Sequence, residues 1–353
     1  TDLYFSASNA ALALMVLLLS RFTKPLTAHG YSIGTLEVPC PFPRRAFWAF
    51  LGIGILSSMF VLSKGSFGSG GDRGGFFLIA YQFSDVLIPV TCFYVVRRGF
   101  NLFSLVLIAY FLFFASLVGF RYKIALLAMP LMFFVLYSDF SAKKKLTIVG
   151  ASGVFVMLLF SFLTLFRVKF GVPDLSKPVD QAGGSLLYGF FAEANTIFGM
   201  TAVQQWFVEG GIHYGLQPLI DAFLELIPRF LMPERVTGEY LTQLQHGMVS
   251  EQGARSGTAY YWVGEFCIMF GWLGYYLGPI IMLGIYTAFR MLFAKLRPRR
   301  AEMALGCFIA FTTLGYYQFG RGYFPQIMKS YIFVVLPFFL LGIAHRLRFG
   351  SRM

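Results

Sequence analysis

The chain has 353 residues, of which 57% are hydrophobic and 13% charged, and its mean hydropathy is +0.68. A soluble globular chain of this length needs far less apolar material for its core, so a soluble reading is excluded. The net charge of +13 would suggest nucleic acid in a soluble protein. In a membrane protein the distribution of charge over the loops matters more than its sum, and no nucleic-acid partner is expected.

A helix needs about 20 apolar residues to cross the hydrocarbon layer. In chain order, the clear runs lie at 47–62, 76–96, 102–120, 146–166, 268–289, 301–319 and 330–344, with weaker ones at 3–19 and 124–137. They continue to the C-terminus, so none is a lone signal peptide. The chain begins at Thr1 rather than Met, which leaves room for a further helix upstream. The expected fold is an all-α polytopic membrane protein with about 9–11 transmembrane helices, forming a single transmembrane domain over 1–353.

Basic residues alternate between the connections. One set comprises Arg21, Lys24, Arg44 and Arg45, then Arg97 and Arg98, then Lys143, Lys144 and Lys145, then Arg290, Lys295, Arg297, Arg299 and Arg300, and finally Arg346, Arg348 and Arg352. These 17 cations face only Glu37, Asp139 and Glu302, whereas the other side holds 12 cations and 13 acids. The positive-inside rule makes the first set cytoplasmic. The N-terminus and residues 63–76, 119–123, 167–256 and 320–329 are then outside.

The connection at 167–256 departs from plain helix–loop alternation, and one so long usually carries function or structure of its own. Within it, 186–207 is apolar enough to enter the membrane yet carries Glu193, Thr196, Thr201 and Gln204 on one face, and 216–231 is amphipathic and punctuated by prolines. Both ends of the insertion are outside, so the two segments cross as a pair or lie as re-entrant or interfacial helices. Residues 234–256 read as a polar loop or short helix. The Gly-rich stretch 64–75 lacks the strand and the ending of a phosphate loop and reads as a flexible outer loop. Internal repeats are absent, which argues against a secondary transporter. The four cysteines have no metal or disulfide spacing, and no clustered carboxylates suggest a divalent ion. A metal-free, cofactor-free mechanism is expected.

Charges at membrane-embedded helix ends are costly and therefore informative. On the outer face, Arg121 and Lys123 lie at a helix junction in Gly119-Phe-Arg-Tyr-Lys, Arg229 follows Pro228, and Arg321 lies between Gly320 and Gly322. With Arg255, these cations suit an anionic, phosphate-bearing ligand, since guanidinium pairs bidentately with phosphate. Snorkelling to headgroups or pairing with a local acid is the bland alternative for each. As proton acceptor His246 ranks first, followed by Glu193 and Glu225, although Glu225 and Arg229 are spaced for a helical salt bridge. Tyr260, Tyr261, Trp262 and Tyr323 have the chemistry to stack on sugar rings or to form an interfacial aromatic belt.

These residues bring a family into view. Tyr214-Gly-Leu-Gln-Pro together with Ile227-Pro-Arg-Phe-Leu-Met-Pro-Glu-Arg resembles the periplasmic segment of O-antigen polymerases, the Wzy-type oligosaccharide repeat-unit polymerases. Glu265-Phe followed by Phe270-Gly-Trp-Leu-Gly resembles the start of their late helix, and Gly119-Phe-Arg and Gly320-Arg-Gly match arginine positions typical of the family. The resemblance spans roughly residues 100–330 through short patterns. It implies a GT-C-like, metal-independent glycosyltransferase of the bacterial inner membrane with its active site facing the periplasm. Its substrates would be undecaprenyl-diphosphate-linked repeat units as donor and acceptor, in lipopolysaccharide or similar polysaccharide biosynthesis. A chain-length regulator protein and membrane lipids would be partners. An O-antigen ligase, or a flippase or transporter of the same lipid-linked glycan, is the alternative.

Overall fold

The computed structural model describes residues 44–64, 76–118, 121–136, 140–170, 214–224, 227, 231–232, 262–296 and 324–347. Every element is helical, and no strand occurs among the described residues. The expected segments at 3–19, 186–207, 234–256 and 301–319 lie outside them. By length and composition alone, two stretches, Arg44–Ser63 and Gly264–Phe289, are apolar enough to cross a membrane, the second being interrupted by the turn at Gly271–Leu273, and shorter apolar helices accompany them. The described residues fall into two compact units. One holds 44–170 and 330–347, the other 214–296 and Phe324–Lys329.

In the first unit, α1 (Arg44–Ser63) buries Phe47, Leu51, Gly54, Ser58 and Val61. Their alternating spacing of three and four places them on one helical face. The opposite face is no more polar, because Trp48, Leu56 and Met59 are exposed. The next run folds as α2 (Phe76–Phe83), a tight turn of 3₁₀ helix at Ser84–Val86, and α3 (Leu87–Arg98). Gly54 lets the Leu87 side chain reach the α1 backbone, since a Cβ there would lie 2.7 Å from Leu87 Cγ.

Gly99, at φ 72°, closes α3, and its N–H donates to Val95 O at 2.7 Å. Asn101 then caps α4 (Leu102–Val118): Asn101 Oδ1 accepts the Ser104 N–H at 3.0 Å and Ser104 Oγ accepts the Asn101 N–H at 2.8 Å. This reciprocal capping fixes a tight reversal between the two helices. Further on come α5 (Arg121–Leu136) and α6 (Ala142–Phe170), whose 29 residues span about 43 Å. Between α1 and α4, Tyr110 Oη lies 2.6 Å from Ser58 Oγ. Since Ser58 donates to Ile55 O, the tyrosine is the donor in that pair.

Ring contacts fix the directions of these helices. Phe47 meets Tyr94 at 5.6 Å and Trp48 meets Phe103 at 5.9 Å at one end, while Phe60 meets Phe76 at 5.3 Å and Val61, Ala80, Phe114 and Val118 cluster at the other. Helix α1 thus runs antiparallel to α2–α3 and alongside α4. Arg44, Arg45, Arg98, Lys143 and Lys144 consequently come to the same end of the unit, as the charge alternation requires.

These cations are not in loops as expected from sequence. Arg97 and Arg98 complete α3, and Lys143–Lys145 begin α6. Arg167 and Lys169, expected in the outer insertion, belong to the last turns of α6. Lys and Arg are good helix formers with long apolar stems, so a helix extends past its apolar run.

In the second unit, α7 (Gln217–Leu224) occupies part of the expected 216–231 amphipathic segment, with Pro218 tolerated in its first turn. It packs on α8 (Trp262–Phe270). The expected continuous run 268–289 is broken after α8. Gly271, at φ 62°, turns the chain through Gly271–Leu273 into α9 (Gly274–Leu296). A Cβ on Gly274 would lie 2.3 Å from the Phe266 carbonyl carbon and oxygen. The Gly-Trp-Leu-Gly sequence therefore forms a sharp turn that lays α9 against α8. The 23 residues of α9 are by themselves long enough for a span.

The last described segment begins as α10 (Phe324–Ser330). It passes through a π turn at Tyr331–Val335 into α11 (Leu336–Leu347), which packs on α3 through Phe338 and Phe93 at 5.5 Å.

Candidate functional site

Three carboxylates are buried among the described residues, Asp85, Glu265 and Asp221, and the first two are held across helices. The first lies at the break between α2 and α3. Pro89 has no N–H to donate to Asp85 O, and its ring crowds that carbonyl, so the preceding turn tightens into Ser84–Val86. The break turns Asp85 inward, where it is 6% exposed.

Lys123 reaches it from the first turn of α5. Its Nζ lies 2.6 Å from Asp85 Oδ1 and the side chain is fully buried. This is a close ion pair. The ammonium also donates to Ser84 Oγ at 3.1 Å and Tyr81 O at 3.3 Å. It also sits 3.5 Å from the Tyr81 ring centroid and 5.5 Å from that of Phe114. Every direction around the cation is taken by a carboxylate, carbonyl, hydroxyl or ring face.

The second carboxylate is Glu265 on α8, 1% exposed. Its two oxygens accept the backbone N–H of Phe324, at 3.0 and 2.9 Å. Phe324 is the first residue of α10, so a carboxylate from α8 occupies the positive end of that helix. The neighbouring Phe266 meets the Phe324 ring edge-on at 5.6 Å. On the same helix Ile268 O, freed because α8 ends at Phe270, accepts the Tyr214 N–H at 3.1 Å. Asp221 of α7, which is buried, accepts from Gln217 Nε2 at 2.7 Å.

Among the site residues expected from sequence, Lys123 has a described side chain. Its reading as a diphosphate-binding cation is corrected, because the charge is already neutralised by Asp85 and enclosed. Arg121 is the first residue of α5 and Trp262 the first of α8, both placed by backbone only. His246, Glu193, Glu225, Arg229, Arg321, Arg255, Tyr260 and Tyr323 lie outside the described residues.

Sequence reasoning missed Asp85, although an acid inside the 76–96 apolar run was the signal for it. Glu265 was noticed as part of a motif but given no role. Among the described residues no group of three His, Cys, Asp or Glu side chains could hold a metal ion. No protein family model matches this chain, and no curated protein and no solved structure matches it either.

Proposed function

We propose that this chain is a polytopic inner-membrane glycosyltransferase of the O-antigen polymerase kind, which joins lipid-diphosphate-linked oligosaccharide repeat units at the outer face. The observation that carries the reading is the convergence on α8. Two of the four stretches that resemble the polymerases meet at this helix: Tyr214 bonds to Ile268, and Glu265 through Phe270-Gly-Trp-Leu-Gly forms the helix and its terminal turn, with Glu265 accepting the N–H of Phe324. Motifs more than fifty residues apart in sequence are thereby joined within one unit. The collected cations at one end of the first unit, and the outward-facing Trp48, Leu56, Met59, Leu102 and Phe113, support a multi-pass membrane placement with that end cytoplasmic.

In this reading the leaving group is a lipid diphosphate, whose developing charge calls for fixed cations. Arg121, Arg229 and Arg321 supply them, with Arg255 as second choice. Lys123 is withdrawn from that set by its pairing with Asp85. A sugar hydroxyl of the acceptor attacks the anomeric carbon as the glycosyl–phosphate bond breaks, with His246, Glu193 or Glu225 accepting its proton.

The test supplies purified protein in lipid with diphosphate-linked repeat units and reads product length on a gel. A ladder, shortened or lost in Arg121→Ala, Arg229→Ala and Arg321→Ala, is the expected result. Wild-type protein that moves the lipid-linked glycan across a vesicle bilayer without making a ladder is a flippase and sinks the proposal. Transfer of preformed glycan onto a non-lipid-diphosphate acceptor makes it a ligase.

A further inference from the structure

Helix α1 has two faces of different make. Phe47, Leu51, Gly54, Ser58 and Val61 turn into the unit. On the outer face Arg45, Trp48, Gly52, Leu56 and Met59 follow one another at spacings of three or four residues and form a single stripe. Arg44 and Arg45 are exposed at its head, and Trp48, Leu56 and Met59 are each more than half exposed below them, at 56%, 69% and 57%. Gly52 leaves a notch between Trp48 and Leu56, because a Cβ there would meet nothing within 4 Å. The Trp48 ring is fixed in place, edge-on to Phe47 at 5.5 Å and to Phe103 of α4 at 5.9 Å.

Helix stability does not explain the two arginines. The first turn of α1 holds no acid, and cations there oppose the helix dipole. Among the described residues of this unit the sole acid is Asp85, which is buried and paired with Lys123. Charge sidedness would be met by cations anywhere at this end, and does not call for them at the head of a notched apolar stripe. Paired cations, then a ring at the boundary, then a notch between aliphatic side chains match the outline of a phospholipid with its phosphate uppermost.

We propose that the outer face of α1 binds one anionic phospholipid of the cytoplasmic leaflet. Its phosphate lies on Arg44 and Arg45, where guanidinium pairs bidentately with the oxygens, and an acyl chain runs past Trp48, through the Gly52 notch and over Leu56 and Met59. A zwitterionic lipid brings its own ammonium to the arginines and fits less well. The inference rests on the membrane placement proposed above and not on glycosyl transfer.

The experiment titrates the full chain in neutral detergent micelles with phosphatidylglycerol, with phosphatidylcholine of the same acyl chains, and with inorganic phosphate. Bound lipid is read by native mass spectrometry, alongside the thermal midpoint. Phosphatidylglycerol is retained in preference to phosphatidylcholine, and inorganic phosphate leaves the midpoint unchanged. Arg44→Gln/Arg45→Gln weakens phosphatidylglycerol binding roughly 30-fold, at about fivefold per cation, whereas Lys143→Gln/Lys144→Gln removes the same charge from α6 and weakens it less than about threefold. Gly52→Leu fills the notch and weakens binding, while its midpoint without lipid is no lower than wild type's, since nothing crowds the added side chain and leucine is the better helix former.

Equal retention of the two lipids, equal losses in the arginine and lysine variants, or unaltered binding in Gly52→Leu overturns the site. Stabilisation by inorganic phosphate as strong as that by phosphatidylglycerol overturns the lipid as its occupant. Protein that stays monodisperse once detergent is removed overturns the membrane placement and this inference together, whereas wild type that retains phosphatidylglycerol as expected but makes no polymer overturns the polymerase reading alone.

Discussion

Removing one half of the Asp85–Lys123 pair gives the sharpest test of the described core. In Asp85→Asn the lysine keeps Ser84 Oγ at 3.1 Å, Tyr81 O at 3.3 Å and the Tyr81 ring at 3.5 Å, but its charge loses the carboxylate at 2.6 Å. Breaking a buried pair by removing one partner costs about 3–5 kcal/mol, and the surviving acceptors and ring put this case at about 3 kcal/mol, roughly 150-fold in the folding equilibrium. Lys123→Met strands the opposite charge and is expected to cost at least as much, since a carboxylate has no ring face to rest on.

The double variant Asp85→Asn/Lys123→Met removes both charges and lays a thioether on Tyr81. It should return to within about 1 kcal/mol of wild type. The assay is reversible unfolding by denaturing detergent in mixed micelles, followed by tryptophan fluorescence. A double-mutant coupling below about 0.5 kcal/mol would mean that the two groups do not face each other in a dry core, and the placement of α5 against the α2–α3 break would be wrong.

Other expectations are quicker to check. Gly274→Ala places a Cβ 2.3 Å from the Phe266 backbone and should cost about 1–3 kcal/mol, while Gly284→Ala, with open space around it, should be neutral or slightly stabilising; equal thermal midpoints for the two would contradict the turn at Gly271. Ser58→Ala should cost about 0.6 kcal/mol, a typical interhelical hydrogen bond in a membrane, and adding Tyr110→Phe should cost little more. Additive losses would show that the hydroxyls do not share a bond. An export-dependent reporter fused after Gly99 should be silent, and one fused after Gly119 active. The reverse pattern would invert the sidedness drawn from Arg44, Arg98 and Lys143.

Helix existence was readable where apolar runs are long, and α1, α4 and α6 form over the expected residues. Arg44, Arg98 and Lys143 share one end of the first unit because the helices that carry them alternate in direction. Helix interruptions were less visible. Apolar content says nothing about where the backbone ladder breaks, so 76–96 and 268–289 read as uniform runs. Yet the residues responsible were in plain view: Pro89 tightens the turn at Asp85, and Gly271 and Gly274 permit a reversal that no side chain could enter. Lys123 was misjudged for a different reason. Its partner lies 38 residues upstream, and spacing along a chain carries no information about a partner supplied by tertiary packing.

The two irregular turns of the first unit have a consequence for chain length. Ser84–Val86 is overwound and Tyr331–Val335 underwound, and they pack beside each other with Phe83 and Phe333 at 5.2 Å. Pro337 sits four residues beyond Phe333 as Pro89 does beyond Asp85, so each defect is anchored by a ring that cannot donate. Three residues at about 120° instead of about 100° advance the phase of α3 by roughly 60°. The π turn retards α11 in the opposite sense. The meeting of Phe93 with Phe338 farther along depends on both offsets. Deleting one residue from 331–335 would swing Phe338 by about 100° off its partner, so neither helix can gain or lose a residue here unless the other changes with it.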